Sequence, residues 1–160
     1  MSPREFFPKM PDEVFDMWLF PLIEHIGWPY SELSDDILGS RWEMLLGQIQ
    51  LNRWHSFNWE LRHVVLTPNT LAHSSLMKIN GIHDHCVRNA FTMEANLKNT
   101  KERFRACTEF FIANGRIPLP CVAIPRHGRL ELVDGHHRLA ALRKYGKFDI
   151  YAVPIYAAFD

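Results

Sequence analysis

Cysteine is scarce in this chain. Cys86, Cys107 and Cys121 are the only three in 160 residues, an odd number at no metal-like spacing. No disulfide framework follows from them, and a reducing compartment, the cytoplasm, is the expected location. Charge of one sign is also missing, because 18 Lys and Arg balance 18 Asp and Glu. A general nucleic-acid coat is thereby excluded, and any DNA contact must come from a local basic patch. Long apolar runs are absent too: the stretch from Met17 to Ile23 contains Pro21 and falls far short of the ~20 residues of a spanning helix. With no basic, apolar and small-residue sequence of an export signal at its start, the chain is expected to be soluble, with no membrane partner. Repeats and low-complexity tracts are lacking, and 47% hydrophobic residues argue against disorder.

What is present changes character near residue 60. The first part is helical and rich in Trp, and strands enter after it, so we expect a helical extension over residues 1–58 and a core over 59–160. Asp12 can cap a helix whose apolar positions Phe15, Trp18, Leu19, Leu22, Ile23 and Ile26 recur at i, i+3, i+4, with a bend at Pro21 and an end at Gly27. A second helix is expected from Ser40, which forms a capping box with Glu43, carrying Trp42, Leu45, Leu46 and Ile49 across Gly47. Leu61 to Leu66 reads as a strand stopped by Thr67-Pro68-Asn69. Asn80-Gly81 reads as a loop ahead of a helix starting near Asp84, which would bury Val87, Phe91 and Leu97. Asn99 and Glu102 open a further helix with Phe104, Cys107, Phe111 and Ile112 as its stripe and Asn114-Gly115 as its stop.

From Pro120 onward the pattern is clearer. Pro120 to Ile124 is a strand, Arg126-His127-Gly128-Arg129 a tight reversal, and Leu130 to Val133 a second strand with Leu130 and Leu132 on its inner face. Gly135 starts a helix over His136 to Tyr145, closed by Gly146, and Asp149 to Ile155 is the last strand. The expected fold is α/β (α+β), a small mixed sheet with packed helices.

The chemistry is concentrated in Asp134-Gly135-His136-His137-Arg138, where a strand runs into a helix through one glycine. The first N–H groups of a helix lack internal partners, and the helix dipole puts about half a positive charge there, so an anion is favoured. Gly135 lets a phosphate approach without a Cβ in its path. The same dipole keeps His136 and His137 neutral when no anion is bound, each able to donate one N–H. Arg138 offers a planar fork for two phosphate oxygens, and Asp134 can orient a histidine, hold a divalent metal, or take a proton from an attacking hydroxyl. The plainer alternative is that Asp-Gly simply makes a turn and a cap.

The segment over roughly residues 60 to 160 resembles the ParB/sulfiredoxin-like superfamily, in which a strand, a glycine turn and a helix bind nucleotide phosphates. All five residues from Asp134 to Arg138 match the signature of free serine kinases in that superfamily. The resemblance implies an ATP-binding enzyme of phosphoryl transfer, a hydrolase or small-molecule kinase. Asp134, His136 and His137 would be catalytic, Gly135 to Arg138 would hold phosphate, and ATP and Mg²⁺, with Asp134 as metal ligand, would be the cofactors. His136 stands where sulfiredoxins carry their catalytic cysteine, so sulfinate reduction is not implied. Of the partition-protein version only Gly135, Arg138 and Ala141 remain. The resemblance also admits a ParB-like DNA nuclease or DNA-binding regulator, and a nucleotide-sensing module is a third reading, with the aromatic extension engaging a protein partner.

Other constellations compete less well. His83-Asp84-His85-Cys86 offers four ligand types, but on a helix only His83 and Cys86 share a face. Trp42, Trp54, His55, Phe57 and Trp59 could stack bases, although their spacing beside leucines fits a packing seam better. Arg103, Arg105, Arg116, Arg126, Arg129, Arg138, Arg143 and Lys144 could track phosphates or simply be solvated. Glu60 and Glu94 are candidate second carboxylates.

Overall fold

A computed structural model describes residues 2–30, 41–88, 99–146 and 148–160. It is an α/β mixed fold with one four-stranded mixed sheet in the order β1-β4-β2-β3. The strands are β1 (Asn58–Val64), β2 (Cys121–Arg126), β3 (Arg129–Asp134) and β4 (Val153–Phe159). The chain divides into two compact units, residues 1–61 with 156–160, and residues 62–155.

In the first unit, a short 3₁₀ turn (Pro3–Phe6) precedes α1 (Asp12–Val14), a π-helical stretch (Phe15–Leu19) and α2 (Phe20–Ile26). The wide turn lies just ahead of Pro21 and contains Met17, whose carbonyl the proline ring would strike in a regular helix; Phe20 N–H reaches back to Phe15 O instead. Phe15, Trp18 and Leu19 are buried, whereas Leu22, Ile23 and Ile26 are only half-buried. The expected helix through Ile49 is broken. α3 (Arg41–Leu45) stops where Gly47 and Gln48 both take positive φ (68° and 59°), and α4 (Leu51–Ser56) restarts after it. Ser40, the proposed cap, lies outside the described residues. Trp54 is the hub of this unit: its Nε1 donates to Leu46 O at 3.0 Å, and its ring meets Phe7, Trp18, Phe57 and Trp59 at 5.3–6.1 Å.

The second unit corrects the reading of residues 73–88. Asn80-Gly81 is not a loop but the middle of α5 (His73–Arg88), whose inward face is Ser75, Ile79 and Ile82 at i, i+4, i+7. One glycine in a helix costs only ~1 kcal/mol, which burial of two isoleucines outweighs. Val87 is exposed, and Phe91 and Leu97 fall outside the described residues. α6 (Thr100–Asn114) ends as expected at Gly115, with φ at 70°. Asn99, however, sits at φ 67° and makes no side-chain cap, and Ile112 is exposed.

β2 and β3 form an antiparallel hairpin through His127-Gly128, both at positive φ as a two-residue type I′ turn requires. Leu130 and Leu132 are buried. β3 is an edge strand, and its outer groups are answered locally. Leu130 N–H donates to Thr70 O, Ala72 N–H to Leu130 O, and Leu132 N–H to Ser75 Oγ, at 2.8, 2.8 and 2.9 Å. α7 (His136–Lys144) buries Leu139, Ala140, Ala141 and Leu142 against α5 and α6, its two alanines allowing close approach. Two strands are displaced from their expected positions. β1 begins three residues early at Asn58, and residues 149–151 are turn and bend, so that β4 starts only at Val153.

Candidate functional site

The site is the junction of β3 and α7. Pairing along the hairpin runs Ala123 with Leu132 and then Val122 with Asp134, so Val133 is an extra residue and the strand bulges just before the motif. Bulges bend a strand and redirect the residue that follows, here Asp134. Gly135 then turns the chain at φ 114°, in a region L side chains rarely enter, and its carbonyl accepts the Leu139 N–H at 3.1 Å.

The space a Cβ would occupy at Gly135 is not open to a ligand. It is filled by Cys121 of β2, whose Sγ would lie 2.4 Å away. This glycine is required by packing under the turn. Arg138 is likewise directed inward: Nη1 donates to Pro120 O at 3.0 Å and Nη2 to Asp134 Oδ2 at 3.2 Å. The guanidinium that the sequence offered as an outward phosphate fork ties β2, β3 and α7 together. Burial opposes its charge, but Asp134 and Cys121 outweigh that and hold its pKa above the usual value.

The two imidazoles are different. Nε2 of His136 and Nε2 of His137 are both buried and without a partner in the protein. Burial pushes His136 down to about 3, reinforced by Lys78, His137 and Arg138; burial, Arg103 and Arg138 push His137 down to about 4. Both rings are therefore neutral at pH 7, in surroundings of positive sign. Lys78 of α5 was missed from sequence because the helix carrying it was split at Asn80-Gly81. Arg103 was noticed only as one of a basic set.

Most of the rest of that set is engaged elsewhere. Arg105 pairs with Glu109 and Arg126 with Glu131; Arg116, Arg143 and Lys144 lie over the rings of Phe110, Phe148 and Phe104, and Arg129 is exposed at the hairpin. Trp42, Trp54 and Phe57 are buried, a packing role rather than an open stacking platform. Glu60 is exposed on β1, and Glu94 lies outside the described residues. His83 Nδ1 is 3.2 Å from Asp84 Oδ1, and among the described residues no group of three metal-ligating side chains is assembled. Asp134 is the one carboxylate of the motif. With Oδ2 on Arg138 it retains Oδ1, which suits a Mg²⁺ carried in on phosphate oxygens better than a metal caged by protein alone.

Cys121 is buried beneath this corner, and its thiol is pushed up to about 12 by burial, which the adjacent Arg138 does not offset. Burial also raises Cys107. Neither is an activated nucleophile. Among the described residues no helix is long and apolar enough to cross a membrane. Compared with protein-family models, curated proteins and solved structures, the chain matches none.

Proposed function

We propose that this chain is a phosphate-binding enzyme domain of ParB/sulfiredoxin-like type that takes ATP and acts in phosphoryl transfer, as a hydrolase or small-molecule kinase. One observation carries the reading: the adjacent imidazoles of His136 and His137 keep buried, unpartnered Nε2 atoms at a helix amino end surrounded by cations. A buried polar atom with no partner costs about 1–3 kcal/mol, so a ligand that supplies the partner recovers it. With the ring protons on Nε2, both histidines donate to phosphate oxygens, as do the free N–H groups of the first turn of α7. Asp134 receives the proton of the attacking hydroxyl or water through Oδ1, while Arg138 fixes the carboxylate. Phosphoryl transfer is largely positioning plus charge stabilisation, which makes so small a kit sufficient.

The seclusion of the imidazoles favours a small phosphorylated ligand over a duplex backbone, which needs an open basic strip. Three cysteines without a disulfide fit a cytoplasmic setting. The test is thermal denaturation of the whole chain with ATP, ADP and CTP, with and without Mg²⁺. At a hundred times its Kd a nucleotide adds ~2.7 kcal/mol, about 5–10 °C in a domain of this size. Phosphate release then separates an enzyme from a sensor. No shift with any nucleotide, together with salt-sensitive retention on DNA, overturns the reading in favour of a ParB-like nuclease or regulator.

A further inference from the structure

We infer that a cavity at the carboxyl end of α7 binds a small linear zwitterion, an ω-amino carboxylate with its ammonium and carboxylate at opposite ends of a short methylene chain. The site lies wholly within the second unit, at the other end of α7 from His136, and stands independently of the phosphate reading.

The cavity measures about 310 Å³, at the low end for small-molecule pockets, and is lined by His83, Arg143, Gly146, Phe148 and Asp149. Its chemistry is set by two opposite charges that do not meet. Arg143 and Asp149 line the same space, yet neither side chain forms an ion pair or hydrogen bond with the other or with any other described residue. A simple anion is disfavoured there by Asp149 and a simple cation by Arg143, whereas a molecule carrying both charges satisfies both groups.

Each end of such a molecule has its own partners. Arg143 Cζ stands 5.9 Å over the Phe148 ring, a contact that steadies the guanidinium and leaves its N–H donors to a carboxylate. For the ammonium there are Asp149 and the partial negative charge at the carboxyl end of α7. His83 adds an acceptor. Its Nδ1 is 3.2 Å from Asp84 Oδ1, so the neutral ring donates through Nδ1 and keeps a lone pair on Nε2, its remaining polar atom. Phe148, only 5% exposed, supplies the apolar wall against which methylenes pack. An α-amino acid carries both charges on one carbon and places no methylene chain between them, which is why the linear form is favoured.

The experiment titrates γ-aminobutyrate, glycine, butyrate and butylamine into the full chain by calorimetry at pH 7, for the wild type, Arg143→Gln, Asp149→Asn and Lys144→Gln. The last variant removes a neighbouring cation that lies over Phe104 and Tyr145 and does not line the cavity. Expected are saturable binding of γ-aminobutyrate by the wild type and binding of the other three compounds weaker by at least roughly tenfold. Arg143→Gln and Asp149→Asn should each lose roughly tenfold in γ-aminobutyrate affinity, the 1.4 kcal/mol of one charge-assisted contact. Lys144→Gln should bind as the wild type does. Arg143 and Asp149 are both exposed, so melting without ligand should be unchanged in their variants. No binding of γ-aminobutyrate, equally tight binding of any of the other three compounds, or full affinity in either cavity variant overturns the inference. None of these outcomes touches the reading of His136 and His137, which the nucleotide titrations test separately.

Discussion

A Cβ placed on Gly135 would stand 2.4 Å from the Sγ and 2.9 Å from the Cβ of Cys121, so the turn into α7 lies on β2 at a distance only glycine permits. The contact joins the candidate site to the buried strand beneath it. Gly135 is constrained twice, by its φ of 114° and by this neighbour.

Gly135→Ala is accordingly expected to destabilise the fold by about 2–5 kcal/mol, combining positive-φ strain with overpacking. The two parts separate in a double-mutant cycle with Cys121→Ala, which removes Sγ and leaves the backbone strain. Denaturant unfolding of the four chains should give a coupling of at least ~1 kcal/mol in favour of the double variant. Additive effects would mean that the cysteine does not set the approach.

Arg138 braces the corner through Pro120 O and Asp134. Its removal strands a half-buried carboxylate, and Arg138→Ala should cost about 2–4 kcal/mol of stability as well as weakening nucleotide binding. Arg138→Lys, lacking the fork, should recover less than half of the stability in urea unfolding. An alanine variant as stable as the wild type would place the guanidinium in solvent and contradict this role.

Acid should destabilise the ligand-free protein through the two histidines. Their folded pKa values, about 3 and about 4, lie below the unfolded value of 6.5, so between pH 6.5 and 4 the unfolded chain takes up protons that the folded one refuses. Stability is then level above pH 7 and falls below 6.5 by up to ~1.4 kcal/mol per pH unit for each histidine. Urea midpoints from pH 7.5 to 4.5 for the wild type and His136→Gln check this, because carboxylates common to both chains cancel. The variant should have the shallower acid limb; parallel limbs would show that His136 titrates normally.

Trp54 tests the first unit. Trp54→Ala should cost about 3–5 kcal/mol, as expected for a buried ring, and Trp54→Phe about 1 kcal/mol for the lost bond to Leu46 O. Nucleotide affinity measured below the melting transition should be unaffected by Trp54→Phe. A stable alanine variant with weakened nucleotide binding would return the aromatic cluster to a ligand-stacking role.

Much of the second unit was legible because its punctuation is local. His127-Gly128 makes the hairpin turn, Gly115 and Gly146 end helices, and the alternation around Leu130 and Leu132 marks the strand. The errors have a common physical source. At Asn80-Gly81 and around residues 149–151, local turn propensity competes with tertiary burial, and composition alone does not say which prevails. In the candidate site, the five adjacent residues were visible but their directions were not. Nothing in the string Asp134 to Arg138 says that Arg138 reaches back to Pro120, that Cys121 lies beneath Gly135, or that Lys78 approaches His136 from a helix 58 residues earlier. Those facts depend on how three helices and a hairpin pack.

The most direct test is calorimetric titration of ATP into the wild-type chain and into the His136→Ala, His137→Ala double variant at pH 7.5. The account predicts saturable binding by the wild type and at least a hundredfold loss in a variant that remains folded by circular dichroism. Equal ATP affinity in the two chains, or no ATP binding by the wild type, would contradict it.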